Sequence, residues 1–228
     1  MTDTSLPCHI GIIMDGNRRW GRKKLLNELT GHHEGLKIAE KIARHAFFER
    51  GILFLTLYAF SSENWKRSEG EVDELMNLFR KACDNNLPRL IEEDIRLRFI
   101  GDRMNISADI FERMRKLEKE SAGKTYTLVI ALNYGGRDEL MRAFLAMHKY
   151  GRGPIDEQTI AQHLDTVGLP DPNLIIRTGG MPRLSGFLLW QAAYANLKFT
   201  DTLWPDFTPE EFDRILQEND GYKQNFGN

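Results

Sequence analysis

The chain has no long apolar run. Its longest, Ile52 to Phe60, falls far short of the roughly 20 residues that a membrane-spanning helix needs. The opening Met1-Thr2-Asp3-Thr4-Ser5-Leu6-Pro7 lacks the basic-then-apolar pattern of a signal peptide, so a cytoplasmic location is expected. Cysteine is scarce: Cys8 and Cys83 form no CxxC pair and read as two reduced thiols rather than a disulfide or zinc framework. The histidines at 9, 32, 33, 45, 148 and 163 lack metal-ligand spacing, and HExxH is absent. GxxxxGK[ST] is absent, GxGxxG follows no strand-like run, and no helix carries DDxxD, so the common nucleotide and aspartate-rich diphosphate signatures are excluded. Charge is balanced too. A formal net charge of -2 gives no global attraction to nucleic acid or anionic lipid.

What is present is an ordinary globular composition, 41% hydrophobic and 28% charged over 228 residues, which fits a single domain spanning 1–228. Strand-like runs at 8–14, 52–60, 95–100, 126–132 and 173–177, with a shorter one at 197–200, alternate with helical patterns at 33–50, 69–93, 107–121, 137–149 and 208–217. Most of the strand-like runs are continuously apolar, as in strands covered on both faces. The pattern predicts an α/β fold with a central, mostly parallel sheet of about six strands wrapped by helices. The loop 150–155 is the best break, but too little chain follows it for a second core.

In such a sheet, ligands bind outside the carboxyl ends of the strands. Those ends carry Asp15-Gly16-Asn17-Arg18-Arg19, then Ser61-Ser62-Glu63-Asn64-Trp65-Lys66-Arg67, then Asn133-Tyr134-Gly135-Gly136-Arg137, then Arg177-Thr178-Gly179-Gly180 with Arg183 and Ser185. Four ends with glycine or hydroxyl residues beside arginine predict an anion-binding rim. Asp15 is open to two readings. It caps the helix that follows, or it holds a hard cation such as Mg²⁺ beside the phosphates that arginines and a helix N-terminus attract. The cluster Arg18, Arg19, Arg22, Lys23 and Lys24 also fits a nucleic-acid patch, but the net charge and the lack of a stacking surface argue against such a partner.

The segments HIGIIMDGNRRWG, TLYAFSSENWKRS, LRFIGD, NYGGRDEL, LIIRTGG, RLSGFLLWQAAYA and FTDTLWPDF, in this order from Pro7 to about Phe207, resemble the cis-prenyltransferases, the undecaprenyl diphosphate synthase family. The resemblance implies a hydrophobic tunnel, a homodimer and peripheral membrane contact through the product. It implies Mg²⁺-dependent condensation of isopentenyl diphosphate onto an allylic diphosphate to give Z double bonds. By the same resemblance Asp15 is the essential carboxylate and a metal ligand. Gly16, Asn17, Arg18, Arg19 and His32 bind the allylic diphosphate. Ser61, Glu63, Asn64, Trp65 and Arg67 form a mobile segment that orders the substrates, with Asn64 catalytic. Arg177, Arg183 and Ser185 bind isopentenyl diphosphate. The stripe Leu75, Met76 and Phe79 fits a tunnel wall and an ordinary core equally, and small Ala59 leaves the tunnel entrance open.

The chain departs from the family pattern at several positions. Met181-Pro182 replaces a glutamate and a variable residue, Gly186 an asparagine, and Glu28 an arginine that contacts the allylic diphosphate. Asn196 stands where the family has a metal-binding glutamate, which makes it a doubtful second Mg²⁺ ligand. The basic C-terminal tail is diluted to Tyr222-Lys223-Gln224-Asn225-Phe226-Gly227. These departures keep two alternatives beside ordinary chain elongation: altered isoprenoid chemistry on the same fold (short, irregular or terpene-synthase-like), and a non-catalytic diphosphate-binding subunit.

Overall fold

Four of the strands are largely apolar, whereas Ile95–Ile100 and Asn196–Phe199 alternate with charged or polar residues, and the sheet that results is entirely parallel. The computed structural model describes residues 8–25, 27–104, 106–150 and 155–219. The opening heptapeptide, most of the 150–155 loop and the diluted C-terminal tail lie outside the described residues. The strands are β1 (His9–Ile13), β2 (Phe54–Ser61), β3 (Ile95–Ile100), β4 (Tyr126–Tyr134), β5 (Leu174–Arg177) and β6 (Asn196–Phe199), in the order β3-β4-β2-β1-β5-β6. All six strand-like runs are therefore strands, with ends moved by a few residues.

Side chains alternate across the sheet with period two. Ile10 and Ile12 of β1, Leu174 and Ile176 of β5, and Leu128, Ile130 and Leu132 of β4 enter one core. Ile13, Ile175, Val129 and Ala131 enter a second core on the opposite face, with Tyr134 and Phe187. Burial on both faces is why these strands read as unbroken apolar runs.

The helices are α1 (Asn17–Lys23), α2 (Glu28–Arg44), α3 (Glu69–Lys81), α4 (Leu87–Glu92), α5 (Ala108–Glu120), α6 (Gly136–Tyr150), α7 (Glu157–Ala161) and α8 (Pro209–Asn219). α2 starts before the expected 33 because Asn27 caps it, its Oδ1 accepting from the Leu29 N–H at 3.1 Å. Its expected end at 50 is a π-helical turn over His45–Glu49. The pattern at 69–93 is α3, a π-helical turn over Ala82–Asn86, and α4, rather than one helix. Pro88 accounts for the break, since its ring and missing N–H interrupt the i→i−4 ladder. The short α7, capped by Asp156, has too little periodicity to be read from sequence.

From β1 the chain passes to β2 beside it, then to β3 at the edge, returns to place β4 between β2 and β3, and crosses to the other side of β1 for β5 and β6. The strand order reverses at the β1–β5 pair, where Ile13 lies opposite Arg177. A crevice opens at the carboxyl ends at such a point. On the other side of β1, β2 carries a register shift between Tyr58 and Phe60, so Ala59 is an extra residue against β4. A bulge of this kind re-aims its neighbours, and here it lies at the mouth of the crevice.

Candidate active site

β1 ends in a tight turn. The Asp15 N–H donates to Ile13 O at 3.0 Å, while the Asp15 carbonyl accepts from Thr178 Oγ1 at 2.7 Å and from the Trp204 N–H at 3.0 Å. Backbone fixed on both sides holds the carboxylate at the strand end. Gly16 follows with φ of 110°, and a Cβ there would stand 2.9 Å from Leu203 Cδ2, so glycine is required for the turn. Gly16 is the N-cap residue of α1, and no side chain caps that helix. The capping reading of Asp15 is thereby set aside: its carboxylate accepts from Arg177 Nη2 at 3.0 Å and lies 3.4 Å from Arg19 Nη2.

Arg177 is buried at the end of β5. Besides Asp15 it donates to Ser185 Oγ at 2.7 Å and to the Arg183 carbonyl, and its Nε is buried without a partner. Ser185 holds a φ of 50°, so the 183–185 loop is bent around this guanidinium. Arg18 and Arg19, expected to act together, part company. Successive helical residues point about 100° apart. Arg19 turns to Asp15, whereas Arg18 Nε lies 2.5 Å from Glu28 and 3.5 Å from Glu71. Glu71 also accepts from Arg67 at 2.7 Å, and Arg22 stands 3.4 Å from Glu28.

α2 lies close enough to α1 that a Cβ on Gly31 would stand 2.0 Å from the Asn17 carbonyl oxygen. That approach puts Asn17 and His32 at the cavity wall. Asn17 Oδ1 and His32 Nε2 are buried there without hydrogen-bond partners. Burial, followed by the nearby Arg67 charge, lowers the His32 pKa to about 4, so the ring is neutral at pH 7.

These groups enclose a cavity of about 430 Å³. Asp15, Gly16, Asn17, Arg18, Arg19, His32, Ser61, Glu63, Asn64, Arg67, Arg177, Arg183 and Ser185 all line it. Two expected site residues do not. Trp65 turns away, its ring N–H donating to Asn133 Oδ1 at 2.7 Å and its ring in a T-shaped contact with Phe60. Asn196 opens β6 opposite Leu174, at the end of the sheet remote from Arg177, and its amide donates to Asn219 Oδ1 at 2.9 Å. It does not join Asp15 within this chain, because the residue that begins a parallel strand lies at the amino edge of the sheet. Asn64 uses its Oδ1 to accept from the Ser61 N–H at 3.0 Å, while Ser61 Oγ accepts from the Glu63 N–H, which closes the 61–67 segment into a capped 3₁₀ turn.

The sequence reading missed Tyr58, which lines the cavity, and Glu71, which pairs with two of its arginines. It took Arg22 only as part of a basic cluster. The i, i+4 spacing of Arg18 and Arg22, which puts both on one helix face, is the signal that could have found it.

The cavity does not end at its polar walls. Ala59 and Met14 line it and also line two smaller apolar cavities of about 120 and 80 Å³. Leu75, Met76 and Phe79 of α3 lie along this passage, so the predicted stripe is wall and core at once. Six arginines at one end and hydrocarbon at the other suit a ligand with a multiply charged oxyanion head and an apolar tail.

Comparison with known proteins agrees with this geometry. A prenyltransferase family model, described as "Putative undecaprenyl diphosphate synthase", matches residues 13–227. An isoprenyl transferase of Aquifex pyrophilus is 44% identical over 223 residues, covering 97% of this chain and 96% of that protein. One of Chlamydia abortus is 47% identical, covering 90% of this chain and 86% of that protein. Among solved structures, lavandulyl diphosphate synthase from Lavandula x intermedia, in complex with dimethylallyl diphosphate, superposes with a TM-score of 0.92 at 32% identity, covering 98% of this chain and 99% of that one. A chain from Campylobacter jejuni described as a probable undecaprenyl diphosphate synthase gives 0.82 at 33% identity, with the same coverage. The chain belongs to the undecaprenyl diphosphate synthase family of prenyltransferases.

Proposed function

We propose that this protein condenses isopentenyl diphosphate onto an allylic diphosphate and releases a Z-polyprenyl diphosphate. The observation that carries the reading is the single cavity whose arginine-lined head runs into an apolar passage at Ala59. Arg177, Arg183 and Ser185 form the isopentenyl diphosphate end. Arg18, Arg22, Arg67 and His32 form the allylic end, with Arg19 and Asp15 between them. Breaking the allylic C–O bond puts charge on the departing diphosphate, and pre-placed guanidiniums stabilise it without reorganising. The new C–C bond joins the allylic carbon to the isopentenyl double bond, with loss of a proton. That step needs the two carbons held within contact distance, which is the work of two anchored heads. Neutral His32 donates a hydrogen bond without adding charge. Asn64, an amide committed to Ser61, orders the 61–67 segment rather than exchanging a proton.

The donor set fits Mg²⁺ in its usual mode. Asp15 would supply one partly exposed carboxylate, leaving the remaining positions to substrate oxygens and water. Among the described residues no group of three or more acidic, His or Cys side chains forms a protein-only cage. When bound, the ion would neutralise diphosphate charge and orient the oxygens. Asp15 would hold it, and Arg177 would hold Asp15.

Homodimer formation is supported by exposed Met141, Phe144 and Leu145, which form one face of α6, and by exposed Leu197 and Phe199 on the edge strand β6. An apolar edge strand is a ready pairing surface. No helix among the described residues is long and apolar enough to cross a membrane. We place the protein in the cytoplasm, meeting a membrane only through its product.

A second reading, irregular condensation between allylic units, is favoured by the TM-score of 0.92 to lavandulyl diphosphate synthase. One experiment separates the two. The protein is incubated with Mg²⁺ and dimethylallyl, geranyl or farnesyl diphosphate in turn, with and without isopentenyl diphosphate, and products are identified by mass. Elongation requires isopentenyl diphosphate. Product formed without it replaces the first reading by the second, and no product in any arm refutes both.

A further inference from the structure

The two ends of the cavity carry equal numbers of guanidiniums, but these pair with unequal numbers of carboxylates; Glu63 also lines the cavity and forms no ion pair with the six arginines among the described residues. At one end Arg19 and Arg177 pair with Asp15, and Arg183 stands in the same wall. At the other, Arg18, Arg22 and Arg67 face both Glu28 and Glu71. Glu28 is the first residue of α2 and lies beside the face of α1 that presents Arg18 and Arg22 one turn apart. Glu71, in the first turn of α3, closes on Arg18 from the other side while it holds Arg67. Arg18 is thus held between two carboxylates borne on two helix starts. His32 is neutral at pH 7 and adds no charge to offset them.

From this geometry we infer that Glu28 is a specificity-determining residue that lowers the affinity of the allylic end for diphosphate, by occupying Arg18 and Arg22 when the site is empty and by opposing the anion when it is filled. The inference rests on the assignment of this end to the allylic substrate. Its physical content is competition. A diphosphate needs the forked donors of Arg18 and Arg22, and a carboxylate uses the same donors in the same geometry. The isopentenyl end has no counterpart to Glu28, since Asp15 is the only carboxylate ion-paired with its arginines among the described residues. Glu28 therefore makes two otherwise similar anion sites unequal, and a substrate held mainly by its charge is directed to the Arg177 end. The allylic end then selects by tail as much as by head.

The test uses Glu28→Gln, which keeps size and removes charge, and Glu28→Asp, which keeps charge. Binding of farnesyl thiolodiphosphate, an unreactive allylic analogue, is measured by calorimetry in EDTA, alongside KM for both substrates in turnover. Expected for Glu28→Gln is about two- to fivefold tighter analogue binding, the range a partly exposed charge pair supports, and a lower allylic KM with the isopentenyl KM unchanged. Glu28→Asp should stay near wild type. Equal or weaker analogue binding by Glu28→Gln, with its melting temperature unchanged, overturns the inference and leaves the proposed function standing. A parallel fall in both KM values overturns it too, because the effect would then be general electrostatics rather than selectivity. Should Glu28→Gln fold poorly, Glu71→Gln probes the same contest for Arg18 and must also tighten the analogue. An analogue that binds neither wild type nor variant refutes the allylic assignment itself.

Discussion

Replacing Asp15 by asparagine exchanges one oxygen for an amino group and removes one charge from the β1 end. The substitution isolates charge from shape: the amide oxygen can still accept from Arg177 Nη2, which reaches Asp15 at 3.0 Å. Arg177 also keeps its bonds to Ser185 and to the Arg183 carbonyl, so the buried guanidinium is not orphaned. The Asp15 side chain is 31% exposed and that of Arg177 only 6%, so losing the charge costs more than at a surface pair, but with the other bonds of Arg177 kept the cost to folding should stay at about 1–3 kcal/mol. The catalytic cost should be larger. In the proposed reaction Asp15 would hold a cation and set the Arg177 guanidinium against two diphosphates, and so would act on charge that develops in the transition state. Its loss should lower kcat at least a hundredfold, about 3 kcal/mol in the barrier. The assay pairs incorporation of labelled isopentenyl diphosphate with urea unfolding of the same preparation. Near-normal turnover would refute the role of Asp15. So would a loss of activity that merely follows a loss of folded protein, since Asp15 would then be a structural strut.

Ala59→Leu fills the point where the polar cavity meets both apolar ones, and should shift products to shorter chains while the first condensation persists, as read by mass; an unchanged product distribution would remove Ala59 from the tail passage. Gly31→Ala places a methyl against the Asn17 carbonyl and should cost about 1–3 kcal/mol in urea stability by forcing α1 and α2 apart. Acid should destabilise the protein between pH 6.5 and 4. Burial lowers both His9 and His32 to about 4, so in this window the unfolded chain binds protons that the folded one does not, and stability falls as pH falls. The slope, about 1.4 kcal/mol per pH unit for each histidine, should flatten in a His32→Gln variant, and an unchanged urea midpoint profile would contradict a neutral, buried ring.

The sheet was legible because burial on both faces leaves unbroken apolar runs, and runs as short as Ile10 through Ile13 or Leu174 through Ile176 suit a strand covered on both sides. The rim was legible because strand ends are where polar residues interrupt those runs. What was not legible depends on direction and distance. Arg18 and Arg19 are neighbours in sequence, and only the helix that carries them sends one to Glu28 and the other to Asp15. Glu71 reads as an acidic first-turn residue of α3, with nothing in the sequence to tie it to Arg18. Trp65 was grouped with its chain neighbours, but one turn of 3₁₀ helix carries its ring to Asn133. The π-helical turns at His45–Glu49 and Ala82–Asn86 follow from packing at helix ends and, at the second, from Pro88, so periodicity alone ran through them.

Asn196 shows how far a matched motif can carry. The resemblance implies a metal ligand at this position, yet the amide is spent on Asn219 at the amino edge of the sheet, while Asp15 and Arg177 stand at the carboxyl edge. Parallel pairing makes that separation unavoidable. A strand's first residue and its neighbour's last residue lie a strand length apart, about 3.3 Å for each residue between them. The chemistry is thus confined to one edge, and there it divides at the strand-order reversal. The β1–β5 crevice gathers Asp15, Arg177 and the 183–185 loop around the anion, and the bulge in β2 turns Ala59 toward the apolar passage beside it. Head and tail are sorted by adjacent strands of one sheet. A change in charge at the rim should therefore alter affinity and rate, and a change in volume at Ala59 should alter the product, with little exchange between the two effects.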